Sequence, residues 1–235
     1  LDLWLDEAYP SEQEQAAFVL HSRPYRENQH LVELLTQSNG KVAALAYVSH
    51  STKSSKKSLL QPFLPINVVL AGNGSLLKLT RVEALGKSYP LEKEKLFSAF
   101  YLNELLVKLL PEFQECPDLF SLYQNSLLAL NKAQTIELIL RSFETQLLEE
   151  LGQTIDFSLL AEVSAEYIHY VPDTGFQLSD DSNCHMPRYA WEDLQAIACG
   201  ELSSTKVRQS YKKLMRQVIN HLLGGKPLNS RKLFN

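Results

Sequence analysis

The chain is poor in sulfur and has no long apolar run. Its 235 residues include three cysteines and two methionines. Cys116, Cys184 and Cys199 form no CxxC pair, and an odd number cannot all be bridged within one chain. That usage excludes a disulfide scaffold and points to reduced thiols that pack, in a cytoplasmic setting. No uninterrupted apolar stretch reaches the roughly 18 residues of a membrane-spanning helix, so none is expected. The opening Leu1-Asp2-Leu3-Trp4-Leu5-Asp6-Glu7 has no basic region followed by an apolar one and does not read as a secretory signal. A glycine-rich phosphate loop, a GxSxG elbow and an HExxH pair are all missing, which removes the common enzyme signatures. There is no internal repeat.

What is present is ordinary in amount and unusual in arrangement. Apolar residues make up 45% and charged residues 21%, the balance of a folded protein with room for one large core or two smaller ones. The net charge of -4 conceals segregation: residues 1–15 carry -5, residues 16–87 carry +6, residues 88–165 carry -7, residues 166–200 carry -5 and the last 35 carry +7. Two basic blocks flank an acidic middle. A mildly acidic total therefore leaves a polyanionic partner open.

Residues 1–15 mix Trp4, Leu5 and Tyr9 with acids and form an acidic leader. It is either a segment ordered only locally or a strip that lies on the basic surface of its own chain. From Ala16 the pattern is that of strands. Phe18-Val19-Leu20-His21 and Leu31-Val32-Glu33-Leu34-Leu35 are short apolar runs, and Asn39-Gly40 signals a turn because both residues tolerate positive φ. Val42, Ala44, Ala46 and Val48 then alternate with Lys41, Ala43, Leu45 and Tyr47. Ile66, Val68 and Leu70 repeat the period, Gly72-Asn73-Gly74 turns the chain, and Leu77, Leu79, Arg81 and Glu83 then alternate with Leu76, Lys78, Thr80 and Val82. Five such strands predict a small oligonucleotide-binding (OB) barrel over residues 16–88. Within it Ser49-His50-Ser51-Thr52-Lys53-Ser54-Ser55-Lys56-Lys57 reads as a flexible cationic loop.

At Pro90 the period becomes helical, opening a helical domain over residues 89–235, so the fold class is α+β. Residues 91–110 are apolar nearly all round, as in a helix buried on several sides. A second helix starts at Pro117, and a third carries Ile136, Ile139, Leu140, Phe143 and Leu147 and ends at Gly152. Residues 153–187 contain a β-hairpin around Pro172-Asp173-Thr174-Gly175. Trp191, Leu194 and Ile197 mark a short helix. The last helix places Val207, Tyr211, Leu214, Val218 and His221 inward, with Arg208, Lys212 and Arg216 aligned on another face, and a basic tail follows Gly224-Gly225.

Several stretches, in order, resemble the bacterial recombination mediator family RecO: Phe18-Val19-Leu20-His21-Ser22-Arg23-Pro24-Tyr25-Arg26-Glu27, Leu60-Gln61-Pro62-Phe63-Leu64-Pro65, Tyr101-Leu102-Asn103-Glu104-Leu105-Leu106, Leu140-Arg141-Ser142-Phe143-Glu144, and Gly224-Gly225-Lys226-Pro227-Leu228-Asn229-Ser230-Arg231-Lys232-Leu233-Phe234. The resemblance implies an N-terminal OB barrel, a helical domain and no catalysis. It also implies binding of single- and double-stranded DNA, strand annealing, and joint action with RecR to load RecA onto strands coated by single-stranded-DNA-binding protein (SSB), whose acidic tail is recognised. An adaptor that binds SSB or RecR and barely touches DNA is the second reading. Localisation follows as cytoplasmic and nucleoid-associated. Many members hold zinc with four cysteines; the matching region here supplies only Cys184, so no metal and no cofactor are expected.

The candidate DNA-contacting residues are Arg23, Arg26, Lys41, Lys53, Lys56, Lys57, Lys78, Arg81, Arg208, Lys212 and Arg216. Cations attract phosphates whatever the base sequence, so binding is expected to depend strongly on salt. A solvated loop, an edge-protecting strand lysine or a solvated helix face explains the same residues more simply. Tyr25 and Tyr47 are candidates for base stacking, or for packing. Arg141 matches a family position associated with the SSB tail; a surface arginine bonded to Glu137 or Glu144 is the plainer account. Asp180, Asp181 and His185 could be drawn as metal ligands, but in a polar loop nothing fixes their geometry.

Overall fold

The computed structural model describes residues 13–48, 56–132, 135–178 and 185–234. The leader through residue 12, the centre of the cationic loop with Lys53, and the stretch holding Asp180, Asp181 and Cys184 lie outside the described residues.

Alternation of period two builds the first unit. Strands β1 (Gln13–Arg26), β2 (Gln29–Thr36), β3 (Gly40–Tyr47), β4 (Pro65–Ala71) and β5 (Leu76–Ala84) close into a barrel of order β1-β2-β3-β5-β4. All neighbours are antiparallel except β3 and β5, and the barrel is of OB type. The alternate residues Val32, Leu34, Val42, Ala44, Ala46, Ile66, Val68, Leu77 and Leu79 all fill its interior. Each large one contributes roughly 1.5–3 kcal/mol by leaving water. β1 begins three residues earlier than its sequence pattern predicts. Gln13, Glu14 and Gln15 pair with Leu70, Val69 and Val68. Gln15 is buried, donates to Asn39 Oδ1 at 2.6 Å and accepts from the Ser38 amide at 3.0 Å, which ties the β2–β3 turn down. At that turn Gly40 has φ +64°, and a Cβ there would lie 1.8 Å from the Gln114 carbonyl oxygen, so only glycine fits.

The cationic loop ends in a single helical turn, α1 (Lys56–Leu59), rather than running on as loop, and Leu60 behind it joins the barrel core. Two helices follow, α2 (Glu94–Leu109) and α3 (Pro117–Lys132). Phe18, which points out of the barrel, meets Tyr123 edge-on at 5.2 Å and Phe120 at 5.5 Å. Asn103 donates to the Leu20 carbonyl at 2.9 Å and accepts from the Tyr123 hydroxyl at 2.6 Å. These contacts make α2 and α3 part of the barrel's own unit. By its contacts the chain divides into Leu1–Lys132 with Ser230–Asn235 and Ala133–Asn229. The end of the basic tail is a 3-10 turn, Ser230–Phe234, that returns to the first unit. Glu104 on α2 accepts from the Ser230 amide and hydroxyl at 2.8 and 2.7 Å.

The second unit comprises α4 (Ile136–Glu150), α5 (Leu159–Glu162), β6 (Tyr167–Val171), β7 (Gly175–Leu178), β8 (Arg188–Ala190), α6 (Trp191–Ala198) and α7 (Thr205–Leu222). α4 closes as predicted at Gly152, where the Gly152 and Gln153 amides bond to the Glu149 and Leu148 carbonyls at 3.0 and 2.7 Å. The predicted hairpin is β6–β7; β8, absent from the sequence reading, adds a third strand in the order β7-β6-β8. Ile168, Phe176, Tyr189, Leu194, Leu214 and Val218 form the core. His221 is not inward: it is exposed and lies 2.9 Å from Asp173. Of the two described cysteines, Cys116 is buried and Cys199 is exposed, so packing explains the first and not the second.

Candidate nucleic-acid interface

Inward parity on the barrel defines an outward face by the same rule. Register places Arg23 opposite Leu31, Leu31 opposite Leu45, and Leu45 opposite Lys78, a row crossing β1, β2, β3 and β5. One step along, Arg26 is paired with Gln29 and Gln29 with Tyr47. Strands lie about 4.8 Å apart, so the first row spans about 14 Å. Its ends are cationic and exposed, its centre is apolar and half-buried. Arg23, Arg26 and Lys78 make no ion pair among the described residues. Tyr47 is 58% and Tyr25 47% exposed, with the Arg26 guanidinium 5.2 Å from the Tyr25 ring centroid. Neither tyrosine is a packing residue. The face therefore combines what single-strand binding needs: aromatic surface for bases and flanking cations for phosphates.

Other cations from the sequence reading are held elsewhere. Lys41 is a correction: it is buried, and its ammonium donates to the Val107 carbonyl at 2.8 Å, in the last turn of α2. A cation suits that position, where carbonyls lack helical partners and the dipole is negative. Burial pushes its pKa below the usual lysine range, with Glu33 and Glu112 opposing. So covered, Lys41 offers almost no surface to a phosphate. Lys56 is half-buried beside the Leu79 carbonyl at 3.5 Å, and burial lowers its pKa too, whereas Lys57 is exposed. Arg81 lies on the β4 side, shared between Glu14 at 3.3 Å and Glu83 at 3.9 Å.

Two family models match the chain: Recombination protein O N terminal over residues 11–87 and Recombination protein O C terminal over residues 92–166. The chain belongs to the RecO family. It is 41% identical over 228 residues to the DNA repair protein RecO of Tolumonas auensis, covering 93% of each chain. It is 38% identical over 224 residues to that of Psychromonas ingrahamii, covering 93% of this chain and 96% of the relative. To that of Coxiella burnetii it is 39% identical over 224 residues, covering 92% and 95%. No described helix is long and apolar enough to cross a membrane.

Among the residues that the RecO resemblance singled out, Arg141 is not on the surface. It is buried in α4 with its guanidinium on Glu144, itself buried, while its Nε and Nη1 have no hydrogen-bond partner among the described residues. Arg208 is a second correction. It donates to the Leu202 and Ser203 carbonyls at 2.9 and 2.5 Å, reaches Thr205 Oγ1 at 3.1 Å and pairs with Glu137 at 3.6 Å, so it fastens the start of α7. Lys212 and Arg216 on the same helix are exposed.

Asp180 and Asp181, drawn with His185 as metal ligands, lie outside the described residues. His185 is exposed, and no group of three metal-ligating side chains occurs among the described residues. His21 pairs with Glu33 at 3.4 Å on the surface. Ser22 Oγ lies 3.2 Å from His30 Nδ1, but no carboxylate holds His30 among the described residues, so the third member of a triad is missing there. Sequence reasoning missed Arg188, Lys213 and Tyr167, which strand β8 brings together. Arg188 is the one basic residue between positions 166 and 200, and that isolation was the available signal.

Proposed function

We propose that this RecO-family chain is a recombination mediator that binds single- and double-stranded DNA, anneals complementary strands and, with RecR, helps load RecA onto SSB-coated strands. The observation that supports it is the open barrel row from Arg23 through Leu31 and Leu45 to Lys78, with Arg26 and Tyr47 beside it. Exposed cations beside a stacking surface fit backbone-dominated binding with little sequence preference. Lys57 extends the footprint, Lys53 is a candidate by its sequence alone, and Lys41 does not belong to it.

The test is binding of an oligonucleotide across a salt series by the wild type and by an Arg23→Ala/Arg26→Ala/Lys78→Ala variant. Each lost phosphate contact lowers the slope of log K against log salt by about 0.7 on a single strand, so a reduction of about 2 is expected. An unchanged slope and affinity would remove the barrel from the account. ATPase and nuclease assays with magnesium are expected to be blank, and hydrolysis by the purified chain would overturn the mediator reading.

The adaptor reading draws on Arg141, whose buried Nε and Nη1 have no hydrogen-bond partner among the described residues and would take a carboxylate at an acidic, aromatic-ended tail once that tail reaches them. Titration with an SSB-tail peptide against Arg141→Lys separates the two, since lysine keeps the charge and loses the planar fork. Loss of peptide binding with DNA binding retained assigns Arg141 to the tail.

A further inference from the structure

α7 is cationic along its exposed side without internal compensation. It carries Lys206, Arg208, Lys212, Lys213 and Arg216 and no Asp or Glu. Two of these are neutralised from outside the helix. Lys206 lies 3.3 Å from Asp193 Oδ1, and Arg208 is held by Glu137. Lys212, Lys213 and Arg216 make no ion pair among the described residues. At 3.6 residues per turn they fall within an arc of about 100°. Lys212 and Arg216 stand one turn apart, where like charges repel.

The neighbouring sheet extends that arc. Lys213 donates from Nζ to the Arg188 carbonyl at 2.8 Å and lies 4.7 Å from the centroid of the Tyr189 ring. The Arg188 guanidinium lies 4.8 Å from the centroid of the Tyr167 ring, and Arg188 too is without an ion pair among the described residues. The register explains the meeting: Tyr167 pairs with Ala190 and His169 with Arg188, so Tyr167 and Arg188 are diagonal neighbours across β6 and β8. Tyr167 is 39% exposed. Lys212, Arg216, Lys213, Arg188 and Tyr167 thus form one strip on the second unit: four cations leading to an exposed aromatic ring.

We propose that this strip is a second site for single-stranded nucleic acid, separate from the barrel face. The cations take phosphates, and Tyr167, already stacked with a guanidinium, takes an unpaired base. A duplex keeps its base faces covered and would leave the ring unused. An acidic peptide without an aromatic side chain would meet the charges but not the ring. The proposal goes beyond the barrel reading and does not depend on it.

The experiment uses the full chain and a fluorescent 15-nucleotide oligo-dT, read by anisotropy. Four proteins are compared: wild type, the barrel variant Arg23→Ala/Arg26→Ala/Lys78→Ala, a strip variant Tyr167→Leu/Lys212→Gln/Arg216→Gln, and the two combined. All six positions are exposed, and thermal unfolding of each protein checks that folding is intact. The barrel variant is expected to keep residual binding, which falls about tenfold or more when the strip substitutions are added. Tyr167→Phe alone keeps affinity, and 5-iododeoxyuridine in the oligonucleotide crosslinks to Tyr167. No loss from the strip substitutions in either background overturns the site. Poly-glutamate displacing the oligonucleotide at equal charge assigns the strip to an acidic peptide instead, and equal losses for single strand and duplex with Tyr167→Leu alone overturn the stacking role. If the barrel substitutions alone change nothing, the barrel reading fails while the strip is still judged by its own variant.

Discussion

The two ends of β3 carry side chains of one parity and meet opposite fates. Lys41, Ala43, Leu45 and Tyr47 all point out of the barrel, yet Tyr47 is 58% exposed and Lys41 only 8%. The cause is the connection after α2, which crosses the first end of the strand: the Phe113 amide bonds to the Lys41 carbonyl at 2.9 Å, and the Lys41 ammonium turns to the Val107 carbonyl. At the other end nothing among the described residues covers Tyr47. Period two tells which face a residue takes; whether another element lies on that face is a matter of long-range contact. α7 repeats the lesson, because Arg208 and Arg216 lie on one stripe and only Arg208 is tied down by Glu137 and two carbonyls.

The covered end should be sensitive to substitution in stability, the open end in binding. Gly40→Ala is expected to have the largest effect, since its Cβ would strike the Gln114 carbonyl and its φ is positive. A loss of roughly 3 kcal/mol or more, measured by urea denaturation, is expected. A loss below about 1 kcal/mol would mean that the crossing connection yields easily. Lys41→Ala comes next, with a loss of about 1–3 kcal/mol from the half-buried Val107 carbonyl left without its ammonium, and an unchanged salt slope for DNA. The sign of its pH dependence is also defined. Because the folded state lowers the Lys41 pKa from 10.5, it binds that proton less tightly than the unfolded chain does. This group's contribution therefore rises as pH climbs from the depressed value toward 10.5, and comparing alkaline stability curves of wild type and Lys41→Met should show that rise removed. A variant salt slope that shifts like that of Lys78→Ala would break the comparison.

Lys78→Ala, at the open end, should move stability by less than about 0.5 kcal/mol while lowering the single-strand salt slope by about 0.7. Filter binding at several salt concentrations checks it. Smallest of all should be Arg81→Ala. Its partners Glu14 and Glu83 are as exposed as it is, and exposed pairs contribute about 0–1 kcal/mol. A thermal melt with no resolvable shift, together with DNA affinity near wild type, is expected, and a slope change as large as that of Lys78→Ala would move the footprint round to the β4 side.

Much of this could be read from residues alone. Alternation placed five strands and the inward residues of β3, β4 and the start of β5, whereas Val82, of the opposite parity to Leu77 and Leu79, joins them in the core because the register with β4 shifts between Leu79 and Arg81. Asn39-Gly40 and Pro172-Asp173-Thr174-Gly175 marked real turns, and Pro117 and Gly152 bounded helices, because each is a local preference of φ and ψ or a local period. β8 escaped because three residues are too short to show a period. The 3-10 turn at Ser230 escaped because its anchor, Glu104, lies 126 positions away. Of the candidate site, the outward positions of Lys78 and Tyr47 were legible from parity; that of Arg23, which shares the parity of Ala17 and Val19 and is turned outward by a bulge after Val19, was not, and neither were the covering of Lys41 and the burial of Arg141.

By itself, then, the chain's order of residues determined the strands, the helices and the side of each on which a cation stands, since backbone sterics and hydrophobic periodicity act over a few residues. Which cations remain open to a polyanion was decided only in three dimensions. An ammonium near a helix end or a guanidinium near two carbonyls finds its partner through the packing of distant segments, and no local pattern encodes that meeting.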